Sequence, residues 1–178
     1  MYMVLKPQDV VVASKLVTLG DVRWTYLQLY SELFISASEI NAGMKRLLQA
    51  RLVTRFDQQQ VPIQANRSAL LEFLLHGVKY AYPAQRGELT RGMPTAHGAP
   101  PLNRDLASTG ELFPVWPDPE GSTRGFAFAP LYKTVPRAAR LDAKLYEMLA
   151  LVDAIRDGRA RERRLAEKAL ERMLLAHE

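Results

Sequence analysis

Ser38, Asn41, Ala42, Lys45 and Arg46 make up a small, polar face within residues 37–50. The chemistry such a face can do is hydrogen bonding to base edges. An asparagine amide pairs two-pronged with adenine, and lysine or arginine pairs with guanine. Small side chains among them permit close approach to a groove. Ser36 stands just ahead, where a hydroxyl and the free amides of a helix start favour a phosphate.

Such a face needs a helix to carry it and a second helix to hold that one in place. Thr25 precedes an apolar run, and Gln28 follows three residues later, the spacing of a reciprocal cap. Ser36 and Glu39 repeat the device. Together they predict a first helix of about eight residues, a turn of about three, and a second helix over 37–50. Tyr26, Leu29, Tyr30 and Leu33 fall on one face of the first helix, and Ile40, Met44, Leu47 and Leu48 on one face of the second. An ordinary helical hairpin with a solvated polar face carries the same pattern.

The run Leu33, Phe34, Ile35, Ser36, Ala37, Ser38, Glu39, Ile40, followed by Lys45, Arg46, Leu47 and then Ala50, Arg51, Leu52, Val53, resembles the winged helix-turn-helix of small bacterial transcriptional regulators of the MarR-like kind. The resemblance covers roughly residues 1–76. It implies a DNA-binding fold, with Ser36, Ser38, Asn41, Lys45 and Arg46 at the DNA. Two positions depart from the pattern of those regulators. Phe34 stands where a turn glycine is usual, and Arg51 where a glycine usually ends the helix; glycine serves there because it takes a positive φ freely.

The flanking residues extend the reading. Val10, Val11, Val12, Leu16 and Val17 predict a preceding helix that ends at Gly20, although their β-branched run also suits a strand. Residues 52–56 and 61–64 alternate around a polar tip and predict a small hairpin, the wing. Arg55, Gln58 and Gln59 would touch the DNA backbone or minor groove from it; a plain surface hairpin has the same signature. Asn66 caps a further helix through Ala69, Leu70, Phe73 and Leu74, and His76 near its end reads as a helix-terminal or buried histidine.

Charge supports a polyanionic partner only weakly. The net charge is +5, but residues 1–76 carry 8 basic and 6 acidic groups, 77–133 carry 6 and 5, and 134–178 carry 10 and 8. Cysteine is absent, which fits a reducing cytoplasm. No apolar run approaches the roughly 18 residues of a membrane span, and the first residues lack a signal-peptide pattern.

Nine of the eleven prolines lie between Pro83 and Pro136, so a long regular helix is excluded there. The segment still carries Phe113, Val115, Trp116, Phe126, Phe128, Leu131 and Tyr132, too apolar for a disordered linker. It reads as an extended strap packed on the core, with a short strand near 125–129. Within it, Arg91, Thr95 and His97 could serve a ligand or partner loop, or the glycines and prolines around them could simply set turns. From Ala138 onward Leu141, Leu145, Met148, Leu149, Val152 and Ile155 return to helical spacing, and after Gly158 so do Leu165, Ala169, Leu170, Met173 and Leu174. Such stripes suit a homodimer element or the monomer's own core.

Chemistry beyond binding has no visible anchor. The three histidines are scattered without metal-ligand spacing, and no phosphate loop, dinucleotide fingerprint or nucleophile elbow occurs. No enzyme activity, metal or cofactor is therefore expected. The sequence predicts a mainly α chain with a small β-wing: a winged helix-turn-helix over 1–82, a Pro/Gly-rich extended segment over 83–136, and a helical region over 137–178. The expected function is sequence-specific binding of double-stranded DNA in transcription regulation, by a cytoplasmic homodimer. The alternative is a protein-interaction module, an antitoxin or adaptor, using the same scaffold to bind a protein partner; a winged helix for RNA or replication is a third.

Overall fold

The computed structural model describes residues 3–56, 63–106 and 112–176, and is mainly helical with two small sheets. Helix α1 (Pro7–Leu19) lies at the centre of the N-terminal part. Proline in its first turn is preset for a helix start, and Asp9 accepts from the Lys6 backbone amide at 2.8 Å. The β-branched run is helical because residues 9–17 are buried on every side rather than on alternate positions.

Helices α2 (Tyr26–Leu33) and α3 (Ala37–Gln49) follow, and their caps match the sequence signals only in part. Thr25 Oγ1 accepts from the Gln28 amide at 3.1 Å, and Ser36 Oγ from the Glu39 amide at 3.3 Å. The reciprocal halves do not form as the spacing predicts. The Gln28 side chain instead donates to Glu32 at 2.9 Å, and the Glu39 carboxylate accepts from Gln8 of α1 at 2.9 Å. Leu29, Leu33, Ile40, Met44 and Leu47 meet in the core.

Strands β1 (Val53–Arg55) and β2 (Ile63–Ala65) form an antiparallel pair with Val53 opposite Ala65 and Arg55 opposite Ile63. Gln58 and Gln59, expected at its tip, lie outside the described residues. Asn66 then caps α4 (Arg67–Glu72) by accepting from the Ala69 amide at 3.3 Å. A π-helical stretch (Phe73–Gly77) carries the chain into α5 (Val78–Ala81). His76 is exposed in that stretch.

The proline-rich middle is more regular than its sequence suggests. Strand β3 (Arg86–Pro94) pairs antiparallel with β4 (Pro114–Pro117) and with β5 (Thr123–Phe128). Strands β4 and β5 pair parallel, which closes a three-stranded barrel. Closure at this small radius requires backbones to nearly touch. A Cβ at Gly92 would collide with the Trp116 carbonyl, and one at Gly125 with that of Phe113. A 3-10 turn (Ala96–Gly98) and the short helix α6 (Leu102–Asp105) lie between β3 and β4.

Helix α7 (Val135–Leu141) and helix α8 (Ala143–Asp157) interrupt what the apolar spacing alone reads as one helix. Asp142 makes the break: it is extended and accepts from the Leu145 amide at 3.0 Å, capping α8. Helix α9 (Ala160–Leu175) begins after Gly158, where a Cβ would collide with the Ala154 carbonyl. Residues 148–155 of α8 are buried throughout, and Ala166, Leu170 and Leu174 of α9 are buried in the same core. Much of both stripes is thus used within the chain, while Leu141 stays exposed and Leu165, Ala169 and Met173 half-buried.

Buried polar groups tie these parts together. Asp153 of α8 accepts from Thr95 Oγ1 and Trp116 Nε1, each at 2.7 Å, and pairs with Arg156 at 2.8 Å. Arg156 also donates to the Tyr82 carbonyl at 2.8 Å. Burial pushes the Asp153 carboxyl up, against the opposing pull of Arg156 and the two hydrogen bonds. Thr95 is fully buried, and its hydroxyl is taken up by Asp153. Lys15 of α1 pairs with Glu32 of α2 at 2.5 Å and with Asp142 at 2.7 Å. One hydrophobic core consequently runs from Val10 to Leu174 across all three sequence segments.

Candidate nucleic-acid interface

Helix α3 has two unlike sides. Ile40, Gly43, Met44, Arg46 and Leu47 are buried, while Ala37, Ser38, Asn41, Lys45 and Gln49 are exposed, with Ala42 half-buried beside them. Positions 38, 41, 45 and 49 recur at three and four residues, so they form one face. Ser36, the N-cap, is exposed at its leading end, and its Oγ lies 3.2 Å from that of Ser38.

The one carboxylate in the first turn of α3 is turned toward α1. Besides its hydrogen bond from Gln8, Glu39 lies 3.8 Å from Lys6 Nζ. The Gln8 hydrogen bond and then the Lys6 charge hold its carboxyl below the usual range. Lys45 makes no ion pair among the described residues. Arg55 on β1 is also exposed, and acts electrostatically on Tyr26 at the start of α2, where burial pushes the phenol up and Arg55 opposes it.

Arg46 corrects the sequence reading. It does not share the solvent face but is buried against α1, where Nε and Nη2 grip the two oxygens of Asp9 at 2.6 and 2.7 Å. The Asp9 hydrogen bonds hold the guanidinium above its ordinary value. The geometric reason is the 3.6-residue period: Arg46 follows Gly43 by three and precedes Leu47, on the side that meets α1. Gly43 leaves room for the pair, since a Cβ there would sit 2.7 Å from Asp9 Oδ1.

The turn between α2 and α3 is left-handed at Phe34, with φ 53° and ψ 34°. Arg51, after α3, has φ 59°. Both residues adopt a positive φ although neither is glycine. For a non-glycine residue that conformation costs roughly 1–2 kcal/mol. The Phe34 ring meets a group from outside the segment: Arg137 Cζ of α7 lies 3.7 Å over the ring centroid. Sequence reasoning missed Arg137, because nothing local links position 34 to position 137.

Among the described residues, no group of three or more His, Cys, Asp or Glu could hold a metal ion, and no helix is long and apolar enough to cross a membrane. No family model matches this chain, and no curated protein or solved structure matches it.

Proposed function

We propose that this chain is a sequence-specific, duplex-DNA-binding regulator of transcription that works in the cytoplasm. In this reading α1 to α3 and the β1–β2 pair form a winged helix-turn-helix, and α3 enters the major groove. The observation that carries it is the exposed face of Ser38, Asn41 and Lys45, on a helix otherwise buried on α1 and α2 and followed directly by an antiparallel pair. Asn41 and Lys45 read base edges, while Ser36 and Arg55 hold phosphates on either side. Arg46 has no part in the contact; it fixes the angle of α3 on α1. Two copies on a palindromic site remain part of the reading, joined through a surface other than the buried sides of α8 and α9.

Fluorescence anisotropy tests it, using duplex DNA from the region upstream of the chain's own coding sequence against a scrambled duplex. Preference for the native duplex, with affinity falling steeply as salt rises, supports the reading. A folded protein that binds neither duplex at low salt would reduce the helix pair to a scaffold for a protein partner.

A further inference from the structure

We infer that Arg137 of α7 is a phosphate contact, so that the DNA-binding face continues beyond the helix-turn-helix onto the C-terminal part of the chain. The inference rests on the function proposed above and adds a residue from outside the segment that suggested it.

The geometry begins at the turn. Phe34 precedes the N-cap Ser36 by two residues, a span of at most roughly 7 Å of chain. Arg137 stacks on the Phe34 ring at 3.7 Å, and α7 packs on α2, so this cation is held beside the leading end of α3. Arg137 is exposed and makes no ion pair among the described residues. No hydrogen bond or ion pair engages the guanidinium among the described residues, so its N–H donors stay free for the two-pronged grip that suits a phosphate. The aromatic platform also fixes the side chain in advance, which lowers the entropy lost on binding.

Neighbouring charges agree with a polyanion. Arg137 lines a groove of about 450 Å³ with Lys133, Arg140, Asp118 and Glu120. Both acids are already engaged by Arg140, Asp118 in a close ion pair and Glu120 at 3.0 Å. Lys133 and Arg137 are left without a carboxylate among the described residues. The groove sums to one net positive charge, and the two cations without an ion pair, Lys133 and Arg137, are four residues apart.

The test measures wild type, Arg137→Ala, Arg137→Lys and Lys45→Ala on native and scrambled duplexes across a salt series. Arg137→Ala should weaken both duplexes by a similar factor, about ten-fold at low salt. Its slope of log affinity against log salt should be shallower by about 0.9. Between roughly 50 and 200 mM salt, the deficit should therefore shrink about three-fold. Arg137→Lys keeps the charge and should restore the slope. Lys45→Ala should instead lower the preference for the native duplex. If Lys45→Ala behaves so while Arg137→Ala leaves affinity and slope unchanged, the inference is overturned and the proposed function stands. If Arg137→Ala lowers the native-over-scrambled ratio at an unchanged slope, the residue only positions the turn, and the inference again fails. Wild type binding neither duplex overturns both.

Discussion

Arg46 and Asp9 lock α3 onto α1 through a buried, two-pronged ion pair at 2.6 and 2.7 Å. Removing one partner of such a pair strands a buried charge, at a cost of about 3–5 kcal/mol. Arg46→Ala should therefore lower stability by that order in urea unfolding, whereas Lys45→Ala on the solvent face should change it by less than about 0.5 kcal/mol. Gly43→Ala should act in the same direction as Arg46→Ala by crowding Asp9. An Arg46→Ala protein as stable as wild type would contradict the pair's role.

The cluster of Lys15, Glu32 and Asp142 predicts how stability responds to pH. For Glu32 and Asp142, burial raises the carboxyls, but the hydrogen bonds from Lys15 and other donors outweigh it and hold them below 4.5 and 3.8. Burial lowers the Lys15 ammonium, but hydrogen bonds to Asp142 and Glu32 outweigh it and hold it above 10.5. A carboxylate depressed in the folded state stabilises at pH above its unfolded value and loses that contribution as pH falls through the folded one. A raised lysine stabilises below its unfolded value and loses that contribution as pH rises through the folded one. The cluster's contribution should thus be complete between about pH 4.5 and 10.5 and fall on both sides. Lys15→Met should lower Tm most near neutral pH and flatten the acid limb of the Tm-versus-pH curve, because Glu32 and Asp142 lose the partner that depresses them; an acid limb as steep as that of wild type would count against it.

Asp153 joins the barrel to the helical core, so its loss should be felt in the barrel first. Asp153→Ala leaves the Arg156 charge, the Trp116 N–H and the Thr95 hydroxyl without their shared acceptor, and should cost about 3–5 kcal/mol. In hydrogen exchange, amides of β3, β4 and β5 should lose protection by a larger factor than those of α2 and α3. Equal loss across both would show that the barrel has no separate dependence on this residue.

Arg51 sits at φ 59° with an exposed side chain and no ion pair among the described residues. Arg51→Gly removes the strain and takes away no side-chain hydrogen bond or ion pair found among the described residues. It should stabilise by about 1 kcal/mol, read as a rise in Tm of a few degrees. A lower Tm would mean that the side chain contributes more than its backbone costs.

Local signals carried the parts of this chain that are set locally. Thr25, Ser36 and Asn66 are N-caps as their spacing indicates, and Leu29, Leu33, Ile40, Met44 and Leu47 face the core. The polarity of Arg46 suggests solvent, yet its side chain is buried on Asp9. The opposing signal was Asp9, an acid in an otherwise apolar helix, with Gly43 leaving room beside it. The barrel is not legible because its pairings are long-range and its strands are bounded by proline, β3 ending at Pro94 and β4 running from Pro114 to Pro117. The apolar stripes of α8 and α9 were visible, but a stripe does not say whether its cover is the same chain or another. Here residues 148–155 of α8 are covered by α9, the 3-10 turn, α1, α5 and α7.

If the exposed face of α3 reads DNA sequence, as proposed, Asn41 and Lys45 set the preference between duplexes. The most direct measurement is the ratio of affinities for native and scrambled duplex, compared between wild type and the Asn41→Ala, Lys45→Ala double variant at one salt concentration. The predicted result is a folded variant with an unchanged Tm whose ratio falls by about ten-fold or more, since each base contact contributes about 1–3 kcal/mol of discrimination. A folded variant that keeps the wild-type ratio would contradict the account.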